Sequence, residues 1–436
     1  MANKRIYLCL AHMSDEGLEQ KYIKEAFDTN WVVPLGPNVN AFEAELEAFV
    51  CSGSGLKVKG SSKRVVALSS GTSAVHLALI ACGVGTGDEV MVQSFTFCAS
   101  SHPITYLGAT PVFVDSEQET WNMDPELLEE AIKDRMAKTG KKPKAIVPVA
   151  LYGMPYQIER IMEVANRYEI PVIEDAAEGF GSRYKDQVLG TFGKYGVLSF
   201  NGNKMITTSG GGALITPDED SWREIMMYAT QYRESYPYYQ HEKIGYNYRM
   251  SNICAGIGRG QMTIVNDHIA HHKHVQALYE ELLKDVKGIS VHCQPGSWLM
   301  VNCEEVPVYA SNYWLCTITL DPDLKVKGQE NAYKKIVTGA VGGAAGVIHA
   351  AASAVTDCQP NDNVEALRVA LDQADIEARP VWKPMHKQPV YKDAPAYVNG
   401  VSEAIFKVGM CLPAGPYVSD EDVRYIVKTI KENLIG

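Results

Sequence analysis

Between residues 63 and 216, short β-rich runs alternate with segments of helical period, and few folds accommodate that alternation. The strand candidates are Arg64–Leu68, Glu89–Gln93, Pro111–Asp115, Ala145–Val149, Pro171–Asp175, Gly196–Phe200 and Ala213–Thr216. Between two of them, Ile158, Ile161, Met162, Ala165 and Tyr168 fall at helical spacing. Asp124-Pro125 opens another helix, a side-chain cap followed by proline at the first helical position. Strands separated by crossover helices predict a mostly parallel α/β sheet with helices on both faces. Ligands in such sheets sit beyond the carboxyl ends of the strands. After residue 265 the pattern changes to a long polar helix near 266–287, strand-like runs such as 313–320, a helix near 364–373 and a terminal helix after Ser419. A chain of 436 residues exceeds one hydrophobic core. The expected division is a large domain over 1–265 and a smaller α+β domain over 266–436.

Composition narrows the function classes. Apolar residues make up 46% and charged residues 21%, which excludes a disordered chain, a fibrous repeat and a coiled coil. Net charge is −11, so nucleic acid and acidic membrane are not expected partners, although a local pocket for one small anion stays open. Ten cysteines are scattered singly without a CxxC pair, which argues against a zinc cluster and a disulfide framework. The opening MANKRIYLCLAHMSDE lacks the long apolar run of a signal peptide. Residues 336–355 carry no charge and are long enough to span a bilayer, but they are mostly Ala and Gly. So little apolar surface drives weakly into lipid, and a buried or loop-rich insertion is expected there. The expectation is a soluble, cytoplasmic protein without a metal.

Four features lie at strand ends. Ser69-Ser70-Gly71-Thr72-Ser73 joins a strand to a helix, and reads either as an anion cradle at a helix N-terminus or as an ordinary capped turn. Asp175 ends the strand Pro171–Asp175; a buried carboxylate there needs a partner, whether a cationic ring nitrogen, a metal or an arginine, unless it is a helix cap. Lys204 follows Ser199-Phe200-Asn201-Gly202-Asn203, placed either to point into a crevice and form a Schiff base or to face solvent. Phe95-Thr96-Phe97 offers an aromatic face for a planar ring, or simply core. Jointly they supply a phosphate cradle, an aromatic face, a carboxylate for a ring nitrogen and a Schiff-base lysine. That is the inventory needed to hold pyridoxal 5′-phosphate.

The chain resembles the DegT/DnrJ/EryC1/StrS sugar aminotransferases, which have the aspartate-aminotransferase (type I) fold. The likeness rests on Ser70-Gly71-Thr72-Ser73-Ala74, Phe95-Thr96-Phe97, Leu151-Tyr152-Gly153, Glu174-Asp175-Ala176-Ala177, Ser199 through Lys204, Gly210-Gly211-Gly212 and Gly245-Tyr246-Asn247-Tyr248-Arg249-Met250. It implies that Lys204 carries the cofactor, that Asp175 pairs with the pyridine nitrogen and that Phe97 stacks on the ring. The Thr72 and Ser73 amides beside Gly71, with the Ser199 hydroxyl, would hold the phosphate. Asn247 would reach the phosphate of the neighbouring subunit, which implies a homodimer with its active site at the interface.

Asn30-Trp31-Val32-Val33-Pro34-Leu35-Gly36-Pro37 and Glu377-Ala378-Arg379-Pro380-Val381-Trp382-Lys383-Pro384-Met385-His386 resemble the branch acting on UDP-linked 4-keto-6-deoxy-N-acetylhexosamines. Its members make 4-amino sugars for bacterial surface glycans, with L-glutamate as the amino donor. Trp31, Arg249, Arg379, Trp382, Lys383 and His386 are the candidates for substrate contact. Arg249 would suit the glutamate carboxylate or the diphosphate; the 379–386 run reads equally as a structural turn. The alternatives are a C3 aminotransferase, one acting on a dTDP- or GDP-sugar, or a cofactor- or sugar-binding regulator. A dehydratase branch with histidine in place of the lysine is disfavoured by Lys204.

Two departures stand out: Glu178 where relatives often carry Gln or His close to the cofactor, and an extra-long segment over 324–363. His268, His271, His272 and His274 crowd one helix without an HExxH pattern, and a solvated helix face is expected rather than a metal site.

Overall fold

The computed structural model describes residues 5–52, 63–301, 304–333 and 358–435. Seven strands build the main sheet: β1 (Arg64–Leu68), β2 (Glu89–Gln93), β3 (Thr110–Val114), β4 (Ala145–Val147), β5 (Ile173–Asp175), β6 (Tyr195–Ser199) and β7 (Gly212–Thr216). They pair as β1-β7-β6-β5 and β3-β2-β4, and parallel bridges Ile146–Val172 and Val149–Asp175 join the two groups. Only β7 runs against its neighbours, antiparallel to both β1 and β6. Runs such as Val65–Leu68 and Val112–Val114 are buried throughout, as strands covered on both faces require. The short strand Ala396–Tyr397 extends the sheet beside β3, so the chain returns to this layer late.

Four more strands, β8 (Ile289–Val291), β9 (Cys316–Leu320), β10 (Arg379–Pro380) and β11 (Gly409–Leu412), form an antiparallel sheet in the order β8-β9-β11-β10. A separate apolar cluster packs it against the helices Val265–Leu283, Asp362–Gln373 and Asp420–Asn433. The last helix opens with a Ser419/Asp422 capping box, and Asp124 caps Pro125–Thr139 by accepting from Glu126 and Leu127 N–H. The Ala/Gly-rich stretch, and with it most of the insertion expected over 324–363, falls outside the described residues. No described helix is long and apolar enough to cross a membrane.

The histidine-rich helix corrects an expectation. His268 and His272 do not form a solvated face: they are 4% and 0% exposed, because positions 268, 272, 275 and 279 share the helix face turned to the core. His272 Nδ1 lies 3.1 Å from the Tyr313 carbonyl, an arrangement that needs a proton on Nδ1 to donate. Burial pulls its pKa down to about 3. A group whose folded pKa is depressed contributes stability that is present above its unfolded pKa, near 6.5, and lost as pH falls. At pH 5 the forfeit from His272 is on the order of 2 kcal/mol. Urea midpoints at pH 7.5 and pH 5 are expected to converge in His272→Gln relative to wild type; an identical acid loss in both proteins would contradict the assignment.

Candidate active site

The carboxyl ends of β1, β5 and β6 open on one cavity of about 310 Å3. At one side, the β1 strand turns at Ser69-Ser70 into the helix Gly71–Ala81. Ser70 Oγ accepts the Ser73 N–H at 3.0 Å as the helix cap. Gly71 and Thr72 line the cavity, so first-turn amides and the positive end of the helix are presented to it. Gly71 also permits close packing: a Cβ there would stand 3.1 Å from Ser199 Cβ. Gly212 on β7 is more constrained, since a Cβ would meet Gly71 N and the Ser70 carbonyl carbon at 2.4 Å. Sheet and helix N-terminus touch backbone to backbone here, which fixes the cradle.

The motif Glu174-Asp175 divides its two carboxylates between opposite faces, as a strand must. Glu174 turns away and accepts N–H donors from Gly190, Phe192 and Gly193. Asp175 faces the cavity at 5% exposure, with Ser100 Oγ–H donating to Oδ2 at 2.6 Å and Ala177 N–H to Oδ1 at 3.1 Å. Burial raises its pKa, while those two donors and the Lys204 charge work against the rise. A carboxylate held this way is oriented but keeps lone pairs for a cationic partner in the cavity.

Lys204 sits just after β6, its amide donating to the Asn201 carbonyl at 2.9 Å. Its Nζ enters the cavity 3.4 Å from Glu178 Oε1 and 4.0 Å from the centroid of the Trp314 ring. Trp314 Nε1–H donates to the Asn203 carbonyl at 2.7 Å and so anchors the turn carrying the lysine. Phe97 and Trp382 flank the entrance with ring centroids 5.3 Å apart. Tyr152 lies nearly parallel to both Trp314 and Trp382, and its Oη accepts the Trp382 backbone N–H at 2.8 Å.

Of the residues singled out from sequence, Gly71, Thr72, Phe97, Asp175, Glu178, Ser199, Lys204 and Trp382 line this cavity. Ser73 does not: its amide is used by the Ser70 cap. Arg249 is the plainest displacement. Its guanidinium is buried against Glu43 and donates to the Ala67 carbonyl at 3.0 Å, so it ties the helix Pro37–Val50 to β1 instead of facing a ligand. Arg379 pairs with Glu377 at 2.7 Å, and His386 Nδ1 lies 2.6 Å from Ser94 Oγ. Both, with Lys383, lie outside the cavity wall of their own chain. Asn247 is exposed, and Trp31, 40% exposed, packs beside Gly36 with its carbonyl accepting from Asn252. Sequence reasoning missed Trp314 and Ser100. Each is a single residue without a pattern around it, placed at the site only by tertiary packing.

The donor set is one helix N-terminus, one buried carboxylate, one primary amine and an aromatic side chain at the entrance. It fits pyridoxal 5′-phosphate, which carries a phosphate, a ring nitrogen and an aldehyde. Residues 14–317 and 330–431 match the DegT/DnrJ/EryC1/StrS aminotransferase family. EpsN of Bacillus subtilis, provisionally named a pyridoxal phosphate-dependent aminotransferase, is 38% identical over 98% of this chain and 95% of its own. GDP-perosamine synthase of Escherichia coli O157:H7 is 33% identical over 98% of each chain. The crystal structure of a DegT DnrJ EryC1 StrS aminotransferase from Brucella abortus superposes with a TM-score of 0.77 at 26% identity, covering 96% of this chain and 95% of that one. The chain belongs to the DegT/DnrJ/EryC1/StrS family of pyridoxal 5′-phosphate-dependent nucleotide-sugar aminotransferases.

Proposed function

We propose that this enzyme moves an amino group from L-glutamate to the C4 ketone of a UDP-2-acetamido-4-keto-2,4,6-trideoxyhexose, in the cytoplasm, for a capsule or other bacterial surface glycan. The observation carrying the catalytic part is the convergence of Lys204, Asp175 and the Gly71 helix N-terminus on one cavity. The sugar assignment is supported by the likeness of Asn30–Pro37 and Glu377–His386 to the UDP-linked branch.

Bound pyridoxal phosphate supplies an aldehyde for amines and a ring that accepts electrons. The Gly71 and Thr72 amides and the Ser199 hydroxyl hold the phosphate. Asp175, fixed by Ser100 and Ala177, accepts the N–H of the ring nitrogen and keeps it charged. The Lys204 amine removes the α-proton of glutamate as general base, and in the reverse half-reaction delivers a proton to the sugar C4. Phe97 and Trp382 at the entrance limit access of water to these groups. Asn247 completes the phosphate site of a second copy in a homodimer. This is supported by exposed apolar residues in the same stretch of chain, with Tyr239 79% and Ile244 83% exposed.

A GDP-linked keto sugar is the competing reading, because GDP-perosamine synthases match nearly the whole chain. Parallel incubations with glutamate and the UDP-, GDP- or dTDP-linked 4-keto sugar, read by mass spectrometry, separate the two. Exchange of the ketone for an amine is expected on UDP-2-acetamido-4-keto-2,4,6-trideoxyglucose. Exchange on the GDP-sugar alone would overturn the nucleotide assignment and leave the transaminase intact.

A further inference from the structure

The Lys204 amine is held more tightly than attachment to a cofactor requires. Its side chain is 13% exposed, and Glu178, 5% exposed, is the one carboxylate among the described residues within 4 Å of Nζ. Glu178 cannot swing away. Its Oε2 accepts the Tyr152 N–H at 2.7 Å, and its backbone carbonyl accepts from Asn312 Nδ2 at 2.9 Å. Tyr152 donates that N–H from a left-handed conformation, φ 53°, which a buried side chain between two indoles maintains. The Trp314 ring also packs against Nζ, its centroid 4.0 Å away. Among the described residues, Glu178, Asp175 at the end of β5 and Cys9 from the N-terminal segment face the amine. Asp175 is committed to Ser100, Ala177 and the cavity, and burial pushes the Cys9 thiol up to about 12, so it stays uncharged.

We propose that Glu178 is a positioning residue acting through Lys204: its pinned carboxylate is the counter-ion that holds the lysine nitrogen against the Trp314 face and keeps the lysine linkage to the cofactor charged. The proposal rests on Lys204 being the cofactor-bearing lysine. An opposite charge at this distance in a dry site favours the protonated form, and a partner already fixed by the Tyr152 N–H needs no reorganisation to do so. Glutamine keeps the shape and an acceptor for Tyr152 but removes the charge; aspartate keeps the charge.

The readout is the absorbance of the cofactor-loaded protein between about pH 6 and about pH 10, where charged and uncharged lysine linkages absorb at different wavelengths. Glu178→Gln is expected to lower the midpoint by at least about one unit, a tenfold loss of proton affinity, with Glu178→Asp within about half a unit of wild type. An unchanged midpoint in a folded Glu178→Gln protein would overturn the proposal. Wild type alone gives a second check should the variant not fold: the charged band is expected to persist through about pH 8.5, and a midpoint at or below about pH 7 would overturn the counter-ion role. Absence of any lysine-linked band in wild type would instead overturn the reading of Lys204, and this proposal with it.

Discussion

Lys204→Ala is expected to take steady-state transamination below detection, a fall of at least about 10^4-fold. The size follows from what the one amine does. On the proposed mechanism it joins the cofactor and moves the proton in both half-reactions, and among the described residues the cavity wall contains no second lysine that could stand in. The turn that carries it is fixed by the Lys204 N–H to Asn201 and the Trp314 indole to Asn203, so truncation leaves the backbone in place and removes only the chemistry. Glutamate-dependent release of 2-oxoglutarate checks this, with circular dichroism confirming the fold. Repeated turnover near the wild-type rate would contradict it.

Asp175→Asn ranks second. The carboxylate is nearly inaccessible, and Ser100 and Ala177 hold it in place, so on the proposed mechanism it would meet a ring nitrogen without rearranging. Asparagine preserves shape and the acceptor for Ser100, but it supplies no charge to keep that nitrogen protonated. Breaking a buried charge pair by removing one partner costs about 3–5 kcal/mol, which converts to about 10^2–10^4-fold in rate if most of it is felt in the transition state. The expected result is a fall in kcat of that order with thermal stability close to wild type, because relief of a buried carboxylate offsets the one acceptor lost to the Ser100 and Ala177 donors. A kcat within about threefold of wild type would remove Asp175 from the reaction.

The alternation of β-rich runs with helical periods placed all seven main strands to within one or two residues, because strands buried on both faces are continuous apolar runs bounded by turn residues. What it could not supply was the direction of β7, which is antiparallel and set by a tertiary fit: Gly212 against the backbone of Ser70 and Gly71. Asp175, Lys204 and the Ser70–Thr72 turn were legible for a related reason, since strand ends and helix starts project their residues into the crevice. Single residues whose role depends on a distant partner were not. Arg249 read as a ligand contact, yet Glu43, 206 positions away, takes its guanidinium. His268 and His272 read as solvated because nothing in a polar helix marks which face turns to the core. Trp314, recorded in sequence only as part of a strand-like run, anchors the turn carrying Lys204 and packs against its amine.

The central claim is that Lys204 is the amine that carries the cofactor. Reducing the pyridoxal phosphate-loaded protein with borohydride, digesting it and mapping the added mass addresses that claim without substrate. The expected result is one modified peptide with the mass on Lys204, and none in Lys204→Ala. A modification on any other lysine, or one that survives the Lys204→Ala substitution, would contradict the account.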